Sequence, residues 1–201
     1  MTRPTLHTDR LVLVPLTFAH TDLLVELDSD ADVLRFITGR ALSRAEVVDT
    51  WMPVRTRPEA DARGLGYWVG YAGSPDPESF LGWWCLGTEG PDPDSPELGY
   101  RLRRTAWGSG YATEGSRALL AHAFTTVGVP RVWAQTMAVN TVSRRVMEKL
   151  GLRVTRTYVG EWGDPLPGWE QGEVEYEITA DQWAEQAAAG QSLPAGVRSS
   201  G

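Results

Sequence analysis

The segment Arg101-Leu-Arg-Arg-Thr-Ala-Trp-Gly108-Ser-Gly110-Tyr-Ala-Thr-Glu114 joins a predicted strand to a predicted helix through two closely spaced glycines. The first turn of a helix has backbone N–H groups without partners and carries the positive end of the helix dipole. Glycines before that turn let the phosphates of a ligand approach the backbone closely. The segment is therefore a candidate cradle for a pyrophosphate group.

Two common phosphate-binding motifs do not fit this segment. The Gly-Lys-Ser/Thr ending of a Walker loop is missing, and Thr113 stands where the dinucleotide-binding fingerprint has its third glycine. A lone Gly-x-Gly turn is weak by itself, because an ordinary strand-to-helix turn explains it equally well. The surrounding sequence must decide between the two interpretations.

Runs of β-branched and aromatic residues between turn-forming residues predict seven strands around this segment. They cover about residues 10–15, 67–71, 80–86, 97–103, 132–137, 153–159 and 173–179. Turn-forming residues between the second and third runs predict a hairpin. In the last run, Val174, Tyr176 and Ile178 face one way and three glutamates face the other.

Helical spacing of apolar residues predicts four helices, at about 19–28, 44–55, 112–127 and 141–150. Ser43 is a candidate N-cap, and Gly151 is placed to end the last helix in a left-handed conformation. Residues 57–65 are polar and contain a proline, which predicts a loop. Strands that first follow one another and later alternate with helices predict an α/β (α+β) fold, a mixed sheet with helices on both faces.

The length of the chain fits one domain. Of its 201 residues, 42% are hydrophobic, which is enough for a core without disulfides or metals. We predict a single domain over residues 1–186 and a disordered tail over 187–201, where Ala, Gly, Ser and Pro dominate. Cys85 is the single cysteine, and the histidines lack partners at metal-ligand spacing, so no metal site is predicted.

Charge and hydropathy exclude some classes of partner. The net charge of −7 argues against a nucleic-acid partner and permits a cationic one. A run of about twenty apolar residues is missing, and the first residues do not form a signal peptide, so we expect no membrane partner and a cytoplasmic location.

Three motifs in order resemble the GNAT N-acetyltransferases, specifically the Rim-type branch that includes ribosomal-protein N-terminal acetyltransferases. They are Thr8-Asp-Arg10-Leu-Val-Leu13, then Gly99-Tyr-Arg-Leu with Trp107-Gly-Ser-Gly-Tyr-Ala-Thr-Glu114, then Asn140-Thr-Val-Ser-Arg-Arg-Val-Met-Glu-Lys-Leu-Gly151. The resemblance covers about residues 6 to 180. It implies a mostly antiparallel sheet of about seven strands, in which the fourth and fifth splay apart to admit the pantetheine arm of acetyl-CoA. It also implies direct acetyl transfer to a primary amine in a ternary complex.

The resemblance further implies which residues hold acetyl-CoA. They are Leu102, Arg103, Arg104, Trp107, Gly108, Ser109, Gly110, Tyr111, Ala112, Asn140 and Ser143. One position departs from the family pattern: Thr105 stands where Gln or Arg usually starts the loop. We expect Arg103 or Arg104 to supply the missing charge, unless both are solvated surface residues.

Three of these residues have further predicted roles. A backbone N–H near Leu102 is expected to stabilise the oxyanion. By resemblance, Ser143 is placed to protonate the departing thiolate, although a serine in a first helical turn is commonly structural. Asn140 is a helix N-cap by position, and its contact with the CoA arm follows from the resemblance.

Glu97 is the candidate general base. An amine with a pKa of about 10 is mostly protonated at neutral pH and cannot attack a thioester. A carboxylate whose pKa is raised by partial burial can accept that proton, directly or through water. The alternative is an ordinary exposed carboxylate at a strand end. Tyr100 and Tyr111 are explained more simply by packing.

The late loop and last strand are acidic, with Glu161, Asp164, Glu170, Glu173, Glu175 and Glu177. They form either a solvated face or a surface that attracts a cationic acceptor, which Trp162 and Trp169 would wall.

Three functional hypotheses remain distinct. The first is N-acetyl transfer to a protein N-terminus or to a small amine, the second a non-catalytic acyl-CoA sensor, and the third nucleotide binding. The acceptor is not encoded in the motifs, and a homodimer is possible because family members often pair.

Overall fold

In the computed structural model, which describes residues 2–90, 92, 94–160 and 165–190, the described strands form one eight-stranded sheet. They are β1 (Leu6–His7), β2 (Leu11–Pro15), β3 (Gly66–Ala72), β4 (Phe80–Gly87), β5 (Glu97–Leu102), β6 (Arg131–Met137), β7 (Arg153–Tyr158) and β8 (Glu173–Thr179). Their order is β1-β2-β3-β4-β5-β6-β8-β7, and every neighbouring pair is antiparallel except β5 and β6. The predicted fold class and the β3–β4 hairpin are confirmed. The strand that was not predicted is the two-residue β1, which pairs with β2.

The described helices are α1 (Thr21–Asp28), α2 (Arg44–Glu46), α3 (Met52–Arg55), α4 (Pro58–Ala62), α5 (Tyr111–His122), α6 (Thr141–Lys149) and α7 (Ala180–Ala188). A π-helical segment, Val47–Trp51, connects α2 to α3, and another, Ala123–Val127, extends α5. Single 3-10 turns occur at Phe18–His20, Pro77–Ser79, Arg104–Ala106 and Trp169–Gln171. The cap at Ser43 is confirmed, and so is the left-handed helix end at Gly151, with φ of 83°.

Two helical predictions need correction. Residues 57–65 are not all loop, because α4 begins at Pro58, and a proline at the first helical position costs no hydrogen bond. α7 was not predicted. It starts at a capping box between Thr179 and Gln182 and ends at Ala188, two residues beyond the predicted domain boundary. Residues 191–201 lie outside the described chain, and the disordered tail stays a prediction.

The core lies on both faces of the sheet. On one face, α5 and α6 cover a cluster that includes Trp84, Leu98 and Leu102. On the other, α1 and the α2–α3 segment cover a cluster that includes Leu24, Met52 and Cys85. Side chains of β5 therefore alternate between two differently covered faces.

The sheet opens between β5 and β6. These parallel strands share one residue pair, Glu97 with Trp133, next to a hydrogen bond from Trp133 N to Pro96 O of 3.2 Å. The next pair, Gly99 with Gln135, is not formed, and the strands separate from that point. They are the fourth and fifth of the predicted strands, so the predicted splay is confirmed.

α5 lies directly against β4 at its first turns. The indole Nε1 of Trp84 donates to the Ala112 carbonyl at 3.2 Å. A Cβ added to Gly115 would lie 2.5 Å from Trp84 Cε2, so the glycine permits this close approach. The contact fixes the start of α5 beside the open part of the sheet.

Candidate active site

The glycine loop follows β5 and leads into α5. Gly108 and Gly110 have φ of 73° and 83°, in the left-handed region that glycine adopts without strain. The N–H groups of residues 108 to 113 have no hydrogen-bond acceptor among the described residues. Residues 107 to 110 are exposed, and a Cβ on Gly108 would contact nothing within 4 Å. The loop therefore offers a row of open donors at a helix N-terminus, as an anionic ligand requires.

Arg103 and Arg104 point to α1 and the residues after it. Arg103 Nη2 lies 2.8 Å from Glu26 Oε2, and its guanidinium is 4.7 Å from the Phe80 ring centroid. Arg104 pairs with Asp30 and Asp32. Both charges have acidic partners, so these contacts do not support the prediction that either residue supplies charge to the loop.

Trp107 connects the end of β5 to the loop. Its indole Nε1 donates to the Leu102 carbonyl at 2.9 Å, and half of the residue is exposed. Leu102 itself is buried. The carbonyl of Pro96 points to β6, and backbone groups alternate along a strand, so the N–H groups of Tyr100 and Leu102 face the gap.

The first turn of α6 is hydrogen-bonded to β5 on the α5–α6 face. The Ser143 Oγ lies 2.9 Å from the Tyr100 hydroxyl, which also donates to the Ser143 carbonyl at 3.2 Å. Burial raises the pKa of Tyr100 to about 12, so this phenol keeps its proton at neutral pH. Asn140 is the N-cap, as predicted: its Oδ1 accepts from Ser143 N at 3.3 Å. Its Nδ2 donates to Thr136 Oγ1 at 3.0 Å.

Glu97 lies at the point where β5 and β6 separate. Burial, reinforced by the negative charge of Glu89, raises the pKa of its carboxyl to about 7. Among the residues that the structure describes, no cation pairs with it. Burial also raises the pKa of Tyr67, and the negative charges of Glu89 and Glu97 add to this effect. Glu97 can therefore hold or release a proton near neutral pH.

Glu97 and Ser143 approach the gap from opposite faces of the sheet. Tyr100, the hydrogen-bond partner of Ser143, belongs to the core beneath α5, whereas Cys85, the strand partner of Gly99, belongs to the core beneath α1. Glu97 and Gly99 share a face, since they are two residues apart. Glu97 and Tyr100 are about 10 Å apart along the strand.

The acidic residues of the last strand have different partners. Glu177 pairs with Arg131 at 2.8 Å and Glu175 with Arg156 at 3.7 Å. Glu173 has no cationic partner among the described residues, and burial raises its pKa. Glu161, Trp162 and Asp164 lie outside the described residues, so their proposed role in acceptor binding stays a prediction.

Sequence reasoning missed three contributors to this site. Tyr100 was attributed to packing, Tyr67 was given no role, and Glu89 was not considered. Their effects depend on contacts with residues distant in the sequence or on burial. A local sequence motif does not indicate either. A search for paired hydroxyls between the two later motifs would have connected Tyr100 with Ser143.

The described residues contain no group of three or more His, Cys, Asp or Glu side chains that could hold a metal ion. None of the described helices is long and apolar enough to cross a bilayer.

Comparison with known proteins identifies similar sequences. Residues 10–153 match the family model described as Acetyltransferase (GNAT) domain. Over 191 residues, the chain is 38% identical to the FsC-acetyl coenzyme A-N(2)-transacetylase of Aspergillus fumigatus, covering 90% of this chain and 78% of that protein.

Solved structures share the fold. A RimL ribosomal L7/L12 alpha-N-protein acetyltransferase in complex with coenzyme A has a TM-score of 0.72 at 16% identity, covering 90% of this chain and 99% of its own. A spermidine N-acetyltransferase from Vibrio cholerae has a TM-score of 0.72 at 14% identity, covering 87% and 98%. At these identities the likeness shows the fold alone, and it does not single out the Rim-type branch.

Proposed function

Because the chain belongs to the GNAT acetyltransferase family and is an acetyl-CoA-dependent acetyltransferase, we propose that it acetylates a primary amine with Glu97 as general base. The observation that carries this proposal is the position of Glu97. It is a half-buried carboxylate, with a pKa of about 7, at the point where β5 and β6 separate. A base with a pKa near the working pH combines the correct protonation state with proton affinity.

The residues around the gap fit acetyl-CoA, which supplies an activated acetyl thioester. The open N–H groups of residues 108 to 113 suit its diphosphate. The unpaired edges of β5 and β6 suit its pantetheine amides, which can hydrogen-bond as a strand would. Asn140 and the exposed Trp107 stay proposed contacts of the donor.

Each proposed step uses a residue already placed. Glu97 takes the ammonium proton, and the neutral amine nitrogen then bonds to the acetyl carbon and loses its second proton to water. The Leu102 N–H, facing the gap, donates to the oxyanion as charge develops. The carbon–sulfur bond then breaks, and Ser143 donates a proton to the sulfur and recovers one from solvent. The hydrogen bond between the Tyr100 hydroxyl and Ser143 Oγ would hold the serine in place beside the gap.

The placement of base and acid on opposite faces supports direct transfer. The amine would arrive on the face of Glu97, and the thiol would leave on the face of Ser143. Each proton transfer then has its own residue on its own face, and neither substrate has to reorient between the two transfers. Both substrates can therefore be bound at the same time, as in a ternary complex. Holding the amine and thioester in attack geometry would provide much of the acceleration.

The proposal leaves two classes of acceptor open. A small amine or the α-amine of a protein N-terminus both meet the chemistry. The relative from Aspergillus fumigatus is named for transfer to N(2), which supports nitrogen as the acetylated atom. A Rim-type assignment, a cytoplasmic location and a homodimer stay predictions from the sequence.

Thiol release from acetyl-CoA tests the proposal across peptides, polyamines, amino acids and aminoglycosides. Turnover on one class would establish the acceptor type, and it should be lost in Glu97→Gln but kept in Glu59→Gln, an exposed glutamate on α4. Acetyl-CoA binding without turnover on any class would contradict the proposal and favour a non-catalytic acyl-CoA sensor.

A further inference from the structure

We infer that Arg10 is a positioning residue for donor binding: by holding the Ser109 carbonyl, it aims the Gly110 N–H at the diphosphate of the donor. The inference rests on the proposed function only in taking the glycine loop as the diphosphate site. It gives Arg10 an orienting role, whereas the sequence predicted that Arg103 or Arg104 supplies charge to the loop.

The guanidinium of Arg10 lies against the loop. Its Nη1 donates to the Ser109 carbonyl at 3.0 Å. Its plane lies over the Tyr111 ring, with 4.5 Å between the Arg10 Cζ and the ring centroid. A Cβ on Gly110 would come within 3.4 Å of Arg10 Nη2. The side chain therefore contacts three successive residues of the loop and the first helical turn.

Glu114 holds the guanidinium in place. Arg10 Nε and Nη2 lie 2.7 and 2.6 Å from Glu114 Oε2. The other carboxylate oxygen, Oε1, accepts from Thr8 Oγ1 at 2.6 Å and from the Arg10 backbone N–H at 3.0 Å. Thr8 is itself fixed, because its Oγ1 also accepts from Leu11 N at 2.9 Å. The β1–β2 turn and the start of α5 thus form one hydrogen-bonded unit.

The hydrogen bond from Arg10 to the Ser109 carbonyl also sets the direction of the Gly110 N–H. The peptide between Ser109 and Gly110 is planar and trans, so its C=O and N–H point in opposite directions. Fixing the carbonyl on Arg10 directs the Gly110 N–H away from Arg10. That N–H has no acceptor among the described residues. A glycine on each side of Ser109 would otherwise let this peptide rotate easily.

The role inferred for Arg10 is orientation of the loop and not supply of charge. Because Arg10 is paired with Glu114, it adds little net charge to the loop. Its contribution is the orientation of backbone donors before the ligand arrives, which lowers the ordering cost of binding.

The test compares donors that differ in the diphosphate. CoA affinity is measured by calorimetry, and Michaelis constants are measured for acetyl-CoA and for S-acetylpantetheine, which lacks the diphosphate. In Arg10→Gln we expect the CoA dissociation constant and the acetyl-CoA KM to rise about tenfold. The kcat at saturating acetyl-CoA and the KM for S-acetylpantetheine should stay within about twofold of wild type.

Two further variants make the result specific. Glu114→Gln frees Arg10 from its carboxylate partner and should weaken CoA in the same direction, by about threefold. Arg63→Gln removes an exposed arginine–carboxylate pair near the start of β3, at the other end of the sheet, and should leave CoA affinity unchanged.

An equal rise in KM for both donors in Arg10→Gln would show a general structural defect and overturn the inference, as would unchanged CoA affinity. CoA binding needs no acceptor. Absence of turnover on every amine would therefore contradict the proposed function while the Arg10 measurement stays interpretable.

Discussion

Asp28 and Glu97 are two carboxylates near the same face of the sheet, and their surroundings differ. Asp28 is fully buried between Arg55 and Arg101, with N–O distances of 3.1 and 2.5 Å. Both guanidiniums also lie over the Trp83 ring, at 5.1 and 5.0 Å from the centroid. Glu97, four residues before Arg101 on the same strand, has no such cation. The charged neighbour that helps to raise its pKa is another carboxylate, Glu89.

The difference shows that neighbours, not burial alone, decide what a buried carboxylate does. Two guanidinium groups pair with Asp28 and make it a structural anchor between α1, α3 and β5. Burial without a cation leaves Glu97 with a proton to exchange near neutral pH. Only the second arrangement suits a general base, and removing each carboxylate should therefore have opposite consequences.

The largest effect is expected on stability at the anchor. Asp28→Asn leaves two buried guanidiniums without their anion, which should lower the free energy of unfolding by about 3–5 kcal/mol. Urea denaturation measures it. Asp22→Asn, which breaks the exposed pair with Arg44, should cost less than about 1 kcal/mol and serves as the control. Equal losses in the two variants would contradict the anchoring role.

The next effect is expected on the reaction rate. Glu97→Gln keeps the size of the side chain and removes the base, so kcat/KM for the amine should fall about a hundredfold. CoA affinity, measured separately, should change less than about twofold, since the diphosphate loop is at the other end of β5. A rate within a few-fold of wild type would remove Glu97 from the mechanism.

The same substitution should stabilise the protein at alkaline pH. The folded-state pKa of Glu97, about 7, lies above the unfolded value near 4.5, so the folded state binds more protons between these values. Wild-type stability therefore falls as pH rises through this window. At pH 8, Glu97→Gln should be more stable than wild type by on the order of 1–3 kcal/mol, and at pH 4.5 the two should be similar. Denaturation at both pH values measures the difference.

The smallest effect is expected from Glu89, the neighbour of Glu97, on the pH dependence of the reaction. Wild-type kcat/KM should fall as pH drops below about 7, because Glu97 becomes protonated. Glu89→Gln removes a like charge and should move this acidic limb to lower pH, by less than about one pH value. A pH–rate profile of both proteins shows it. A limb that stays in place would mean that burial alone sets the pKa.

Much of the fold follows from local patterns in the sequence. The seven predicted strands are all present, and the caps at Ser43 and Asn140 are where the sequence places them. α4 was missed because Pro58 was interpreted as a helix breaker, although it occupies the one helical position that tolerates proline. α7 was missed because its alanine-rich end resembles a tail.

The site was predictable only in part, because its chemistry depends on distant contacts. The glycine loop is visible as a motif, but its hydrogen-bonded arginine is 99 residues away, at Arg10. The arginines nearest in sequence, Arg103 and Arg104, bind carboxylates on and after α1 instead. Glu97 was identified by chemistry, yet its raised pKa arises from burial that only the folded sheet provides.

The single pair between β5 and β6 has a consequence for the lifetime of the protein. Unpaired strand edges ordinarily recruit other chains and lead to aggregation. Here the two edges face each other across the gap, and a donor whose amides bridge them would complete the sheet. Acetyl-CoA would then take the place of a strand between β5 and β6. Because it binds only the folded state, it would raise the free energy of unfolding with the logarithm of its concentration. CoA carries the same pantetheine amides, so the folded enzyme would lose this stabilisation only when neither acetyl-CoA nor CoA is bound.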